Sequence, residues 1–187
     1  MRAYSASDEE ALRARDLLKD WVGEGFLTEG QYPALERETV CDLRRTNIFL
    51  RLVLLLFTLI IVGAAVGLFF VVFLPQGARQ PAGIFLLILA AISYAAAELA
   101  VSQARLYRYG IEEALAVCSV CFLCTGLDAV LLSGYSLVPV AGAVLSLWIW
   151  HRFGLPYAPF AAMIFVVWMP GYWTSSHSAQ HVIVAAF

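Results

Sequence analysis

From Leu52 to Leu74 the chain reads LVLLLFTLIIVGAAVGLFFVVFL, 23 residues without a charge and with Thr58 as their one polar side chain. A hydrocarbon core about 30 Å thick needs about 20 helical residues to cross it. Eighteen of the 23 are Leu, Ile, Val or Phe, each favouring a helix centre in lipid by roughly 0.3–0.6 kcal/mol. Their sum outweighs the losses at Gly63, Gly67 and Thr58. The stretch is therefore expected to span a membrane, and the rest of the fold must be threaded around it.

The remaining composition agrees. Hydrophobic residues make up 61% and charged residues 14%, against about 25% charged in an ordinary soluble domain. The charges are also segregated: residues 1–47 hold seven Lys/Arg and ten Asp/Glu. Beyond them stand five arginines and only Glu98, Glu112, Glu113 and Asp128. This split predicts an all-α polytopic membrane bundle of about five spans behind a small N-terminal cytosolic helical hairpin. The head is too charged for a cleaved signal, so the first span is expected to serve as an uncleaved anchor. A net charge of −2 without any basic tract gives no reason to expect a nucleic-acid partner. Cys118, Cys121 and Cys124 fall within an apolar run, which is not the pattern of a secreted disulfide framework.

In the head, residues 1–47, Ser7 and Glu10 are spaced as a capping box, followed by a helical stripe of Leu12, Leu17, Leu18, Trp21 and Val22. Gly23 and Gly25 are expected to end that helix. Thr28 and Gln31 offer a second capping box, opening a helix through Tyr32, Leu35 and Leu43. The hairpin packs on itself or on the membrane surface, or it docks a cytosolic partner. The run Leu18-Lys19-Asp20-Trp21-Val22-Gly23-Glu24-Gly25-Phe26-Leu27-Thr28-Glu29-Gly30-Gln31 resembles the head of predicted bacterial membrane proteins grouped as domain of unknown function 2157. There a Trp, a Gly, an apolar pair, a Thr or Ser and a Gln precede many spans. The resemblance implies a bacterial inner-membrane protein with more than five spans, and it carries no activity with it.

Four further apolar runs follow the first, at about residues 82–104, 114–132, 137–150 and 157–173. The last two are short enough that a re-entrant hairpin competes with two crossings. Trp148, Trp150, Tyr157, Tyr172 and Trp173 favour crossings, because such aromatics prefer the headgroup level. With alternating spans, Arg37, Arg44, Arg45, Arg51, Arg105, Arg108 and Arg152 share one side, and Arg79 falls on the other. The positive-inside rule then makes the N-terminus cytoplasmic. Residues 182–187 resume an apolar run and read as the start of a sixth span, as in the front part of a longer protein.

Few residues suggest chemistry. Gly63 and Gly67 form a GxxxG, and Ser93/Ala97 and Gly142/Ser146 repeat its small-xxx-small spacing, which lets helices approach closely. They point to packing within the bundle or to association with a second copy or another membrane protein. Tyr94, Glu98, Ser102 and Arg105 share one face of the second span. Glu98 is either a structural ion pair near the interface or part of a proton or ion path. Cys118, Cys121, Thr125 and Asp128 form a stripe on the third span, and Glu98 and Asp128 would mark two ends of one path. The cysteines lack the neighbouring positive charge that activates thiols. His177 and His181, one helical turn apart, are weak metal candidates without a third ligand. No phosphate-binding glycine loop, nucleophile elbow or HExxH occurs, so no cofactor is implied. The expected role is a non-enzymatic assembly, scaffold or sensor component. A transporter or channel component, and a redox or haem protein, stand as alternatives.

Overall fold

The computed structural model describes residues 6–28, 30–38, 47–73, 78–103, 109–131 and 137–173. Among them the chain is helical, without a strand. Two helices form the head, α1 (Ala6–Gly23) and α2 (Tyr32–Glu38). Five longer or more apolar ones follow: α3 (Ile48–Phe73), α4 (Arg79–Ser102), α5 (Ile111–Val130), α6 (Val138–Phe153) and α7 (Ala158–Trp173).

In the head, α1 begins at Ala6, one residue before the expected cap at Ser7, and stops at Gly23. The chain then folds back: Phe26 N–H donates to the Trp21 carbonyl at 2.9 Å, and Gly25 adopts a φ of 79°. The Gln31 side chain accepts from the Thr28 N–H at 3.1 Å, the return half of a capping box. It serves α2, which packs against α1. Leu18 of the α1 stripe is buried, whereas Leu17 and Trp21 remain exposed. Leu43 lies outside the described residues.

Helices α3, α4 and α5 are long and apolar enough to cross a membrane, with 26, 24 and 20 residues. Helices α6 and α7 have 16 residues each, about 24 Å at 1.5 Å per residue. The closest pairing is α4 on α5. It runs antiparallel, because Gly83 near the start of α4 lies against Gly126 and Val130 near the end of α5. A Cβ on Gly83 would stand 2.9 Å from the Gly126 carbonyl oxygen and 2.6 Å from Val130 Cγ2. Helices α6 and α7 make a second antiparallel pair, in which a Cβ on Gly142 would meet the Phe165 ring at 2.7 Å. Helix α5 joins the two pairs.

The core concentrates at the end where α3, α5 and α7 begin and α4 and α6 finish. Ala97, Val101, Ala116, Ile149, Phe153, Leu155 and Ala158 form one buried cluster there. Three of the seven are alanines, which let helices approach closely, and the larger Ile149, Phe153 and Leu155 fill the space between them.

Helix α3 stands apart: none of its residues is buried. One face of it, through Leu55, Thr58, Val62 and Val66, is half-buried along its length. Near its start, Arg51 meets α5, and near its finish Phe69 stacks on Phe85 of α4 with centroids 4.1 Å apart. Gly63 and Gly67 are exposed, and a Cβ on either would meet nothing within 4 Å. The first small-xxx-small pair is therefore not a seam of this chain's own bundle. The other two are: Ser93, Ala97, Gly142 and Ser146 are all buried. The difference is one of neighbours, since identical spacing serves whichever helix lies alongside.

Candidate functional site

Two arginine–carboxylate forks define the polar end of the bundle. Arg51, in the first turn of α3, donates from Nε to Glu113 Oε2 at 3.0 Å and from Nη2 to Glu113 Oε1. Glu113 is held by the first turn of α5, with its side chain 2% exposed against 24% for Arg51. The planar guanidinium matches a carboxylate with two parallel bonds, which fixes orientation as well as charge. Backbone geometry makes the approach feasible. Gly110, just before α5, has a φ of 105°, and a Cβ there would lie 2.2 Å from the Arg51 carbonyl oxygen. An L side chain would be excluded twice, by conformation and by the α3 backbone.

The second fork joins α4 to α6. Arg152 donates from Nε to Glu98 Oε2 at 3.2 Å and from Nη2 to Glu98 Oε1. One turn away, Trp148 Nε1 donates to the Tyr94 hydroxyl at 2.7 Å, and Tyr94 packs edge-on against Phe153 with centroids 6.0 Å apart. Both bonds connect residues 54 apart. Helices α4 and α6 therefore run parallel and in register, through two i,i+4 pairs that face each other. Arg105, on the same helical face as Glu98 by spacing, lies outside the described residues. Arg152 reaches Glu98 from another helix.

Glu112 sits beside Glu113 and is 2% exposed. Its Oε1 accepts from the Tyr109 N–H at 2.6 Å, capping the open start of α5. Its Oε2 has no hydrogen-bond partner. Sequence alone reads Glu112 and Glu113 as ordinary helix-start acids, and the spacing gives no sign that they are buried.

Glu98 and Asp128, read as the two ends of one polar path, lie toward opposite ends of the bundle. Asp128 is exposed near the opposite end of α5, beyond Gly126, while Glu98 lies in the fork at the polar end. Thr125 is exposed and donates to the Cys121 carbonyl of its own helix at 2.8 Å. Ser102 is exposed as well. In the cysteine stripe, Cys118 is buried, Cys121 exposed and Cys124 half-buried, all three as free thiols. The stripe thus turns outward along α5 and does not line an interior seam. Tyr157, just before α7, is half-buried with its phenol oxygen buried. Trp148 and Trp150 are about half exposed, at 52% and 50%. His177, His181 and residues 182–187 lie outside the described residues, and the side chains of Tyr172 and Trp173 are not described.

The class defined by this fold is a helical chain in which three helices suit a bilayer and two arginine–carboxylate forks lie at one end. No protein-family model, curated protein or solved structure matches it.

Proposed function

We propose that the chain is an integral membrane protein of the bacterial inner membrane, with a cytoplasmic helical head and five crossings, α3 to α7. Its role is assembly: a non-enzymatic scaffold or sensor component that associates with a second copy or another membrane protein. The observation that carries this reading is α3. None of its residues is fully buried, and its Gly63/Gly67 face is open to another helix. Five crossings draw support from the register of α6 with α4. Two bonds at the same offset put Val138 level with residue 84 and Arg152 level with residue 98, so α6 traverses most of the depth of α4. The cytoplasmic head is supported by Arg51 and Arg152 at the polar end and Arg79 at the other. The head's likeness to domain of unknown function 2157 suits the same reading.

A transport path through Glu98 and Asp128 has less support, because Glu98 is engaged by Arg152 and Asp128 lies at the far end. Cross-linking in native membranes tests assembly. Gly63→Cys, in a chain whose own cysteines are replaced by alanine, is expected to form a disulfide-linked oligomer on oxidation. Adding Gly67→Ile is expected to lower the yield at least severalfold. A Gly63→Cys chain that stays uncross-linked at native expression refutes an assembly built on this face.

A further inference from the structure

Where α1 turns toward α2, three large apolar side chains stand in the open. Leu17 is 52% exposed, Trp21 46% and Phe26 76%, while Leu18 between them is buried. Leu17 and Trp21 lie one turn apart on one face of α1. Phe26 joins them through the backbone. Its N–H donates to the Trp21 carbonyl at 2.9 Å, and the Gly25 N–H to the Val22 carbonyl at 3.1 Å, with Gly25 at a φ of 79°. This pair of bonds is the helix stop that lays the residue after the glycine over the last helical turn, beside the residue whose carbonyl it bonds. The three side chains therefore make one apolar tip at the turn of the head. A leucine and two aromatics, one of them tryptophan, are the kind of set that settles at the headgroup level of a bilayer.

The covalent chain keeps a bilayer within reach of that tip. Nine residues separate Glu38, the end of α2, from Ile48, the start of α3, and at full extension they cover about 35 Å. The seven residues of α2 set the tip back by only about 10 Å. A surface tethered this closely meets the tip at a high effective concentration, so a patch too small to hold a free protein suffices. A soluble partner has no such advantage. We propose that Leu17, Trp21 and Phe26 insert into the headgroup layer beside α3, so that the head rests on the membrane by its α1–α2 turn. This docking depends on the reading of α3 as a membrane span. Charge selects the surface. Asp20 and Glu24 are exposed next to the tip, and residues 1–47 hold ten acidic against seven basic residues. The partner is therefore a zwitterionic lipid surface, and anionic lipid opposes the docking.

The test places the full chain, its own four cysteines replaced by alanine, in phosphatidylcholine nanodiscs with one nitrobenzoxadiazole-labelled cysteine. Phe26→Cys reports the tip, Lys19→Cys the opposite, exposed face of α1, and Gly63→Cys the middle of α3. Quenchers are lipids carrying a nitroxide at the headgroup or in mid-chain. The headgroup nitroxide is expected to quench the label at residue 26 at least about threefold more than that at residue 19, and the mid-chain nitroxide to quench residue 63. Leu17→Ser with Trp21→Ser should bring residue 26 down to the level of residue 19. Replacing about 40% of the lipid with phosphatidylglycerol should lower the quenching at residue 26, and about 0.5 M salt should restore it. If the double serine variant fails to fold, the lipid series on the unmutated head decides. Equal quenching at residues 26 and 19, no fall in the serine variant, or no fall with phosphatidylglycerol overturns the proposal. The first of these is the result for a head whose tip meets a soluble partner. An unquenched residue 63 refutes the membrane span and the docking together, whereas a quenched residue 63 with residue 26 unquenched refutes the docking alone.

Discussion

Removing the arginine of the α3–α5 fork should destabilise the bundle more than neutralising its carboxylate. In Arg51→Ala, the Glu113 carboxylate keeps its charge in a position where its side chain is 2% exposed, with both guanidinium bonds lost. Breaking a buried pair by deleting one partner costs about 3–5 kcal/mol. Because Arg51 is 24% exposed, part of the pair's attraction is already screened, and we expect about 2–4 kcal/mol. In Glu113→Gln the amide oxygen still accepts one bond, and the freed guanidinium has a route to solvent or headgroups. Its cost should be about 1–2 kcal/mol. Arg51→Leu with Glu113→Leu removes both charges and both desolvation costs, so the double variant should recover to within about 1 kcal/mol of the parent. The assay is equilibrium unfolding in mixed micelles, raising the denaturing detergent while following helical circular dichroism. Equal losses in Arg51→Ala and Glu113→Gln, or a double leucine variant less stable than either single one, would show that the fork is not a desolvated pair.

Two further perturbations separate glycines that look alike in sequence. Gly83→Leu should cost about 3 kcal/mol or more by the same unfolding assay, since its Cβ alone would stand 2.6 Å from Val130 and 2.9 Å from the Gly126 carbonyl oxygen. Gly63→Leu should change the stability of the dispersed single chain by less than about 1 kcal/mol, a contrast that a shared packing role would erase. Gly110→Ala combines a positive φ with a Cβ 2.2 Å from the Arg51 carbonyl oxygen. It should cost about 2–4 kcal/mol and speed exchange of the amide hydrogens at the start of α5.

The helices were legible in sequence because a bilayer-sized hydrophobic run is a one-dimensional signal. The boundaries of α3, α4 and α5 fall within a few residues of those expected from apolar runs and their bounding prolines, glycines and charges. Partners were not legible, because they depend on which helix lies alongside. Glu98 illustrates this: its own helix offers Arg105 at a matching spacing, yet the bond comes from Arg152, 54 positions on. The offset of Tyr94–Trp148 equals that of Glu98–Arg152, and that coincidence is a signal a search for parallel helix pairs would detect. The three small-xxx-small pairs carry the same sequence information, and only the tertiary arrangement separates the open Gly63/Gly67 from the buried Gly142/Ser146. The burial of Glu112 and Glu113 had no local cue. Both look like favourable first-turn acids, and one of them is also the anchor for α3.

The order in which the two forks become available bears on biogenesis. Each joins a residue to a partner made much later: Arg51 precedes Glu113 by 62 positions, and Glu98 precedes Arg152 by 54. Synthesis at about 5–20 residues per second leaves the first member of each fork waiting roughly 3–12 s. An ionised side chain stranded at mid-bilayer for that time would oppose insertion of its helix. Both waiting residues sit near the helix ends that the proposed orientation leaves at the cytoplasmic face, where water and the ribosome side remain accessible. Placing the forks at that end lets each charge be held in water until its partner emerges, so the bundle is closed by the late arrival of Glu113 and Arg152.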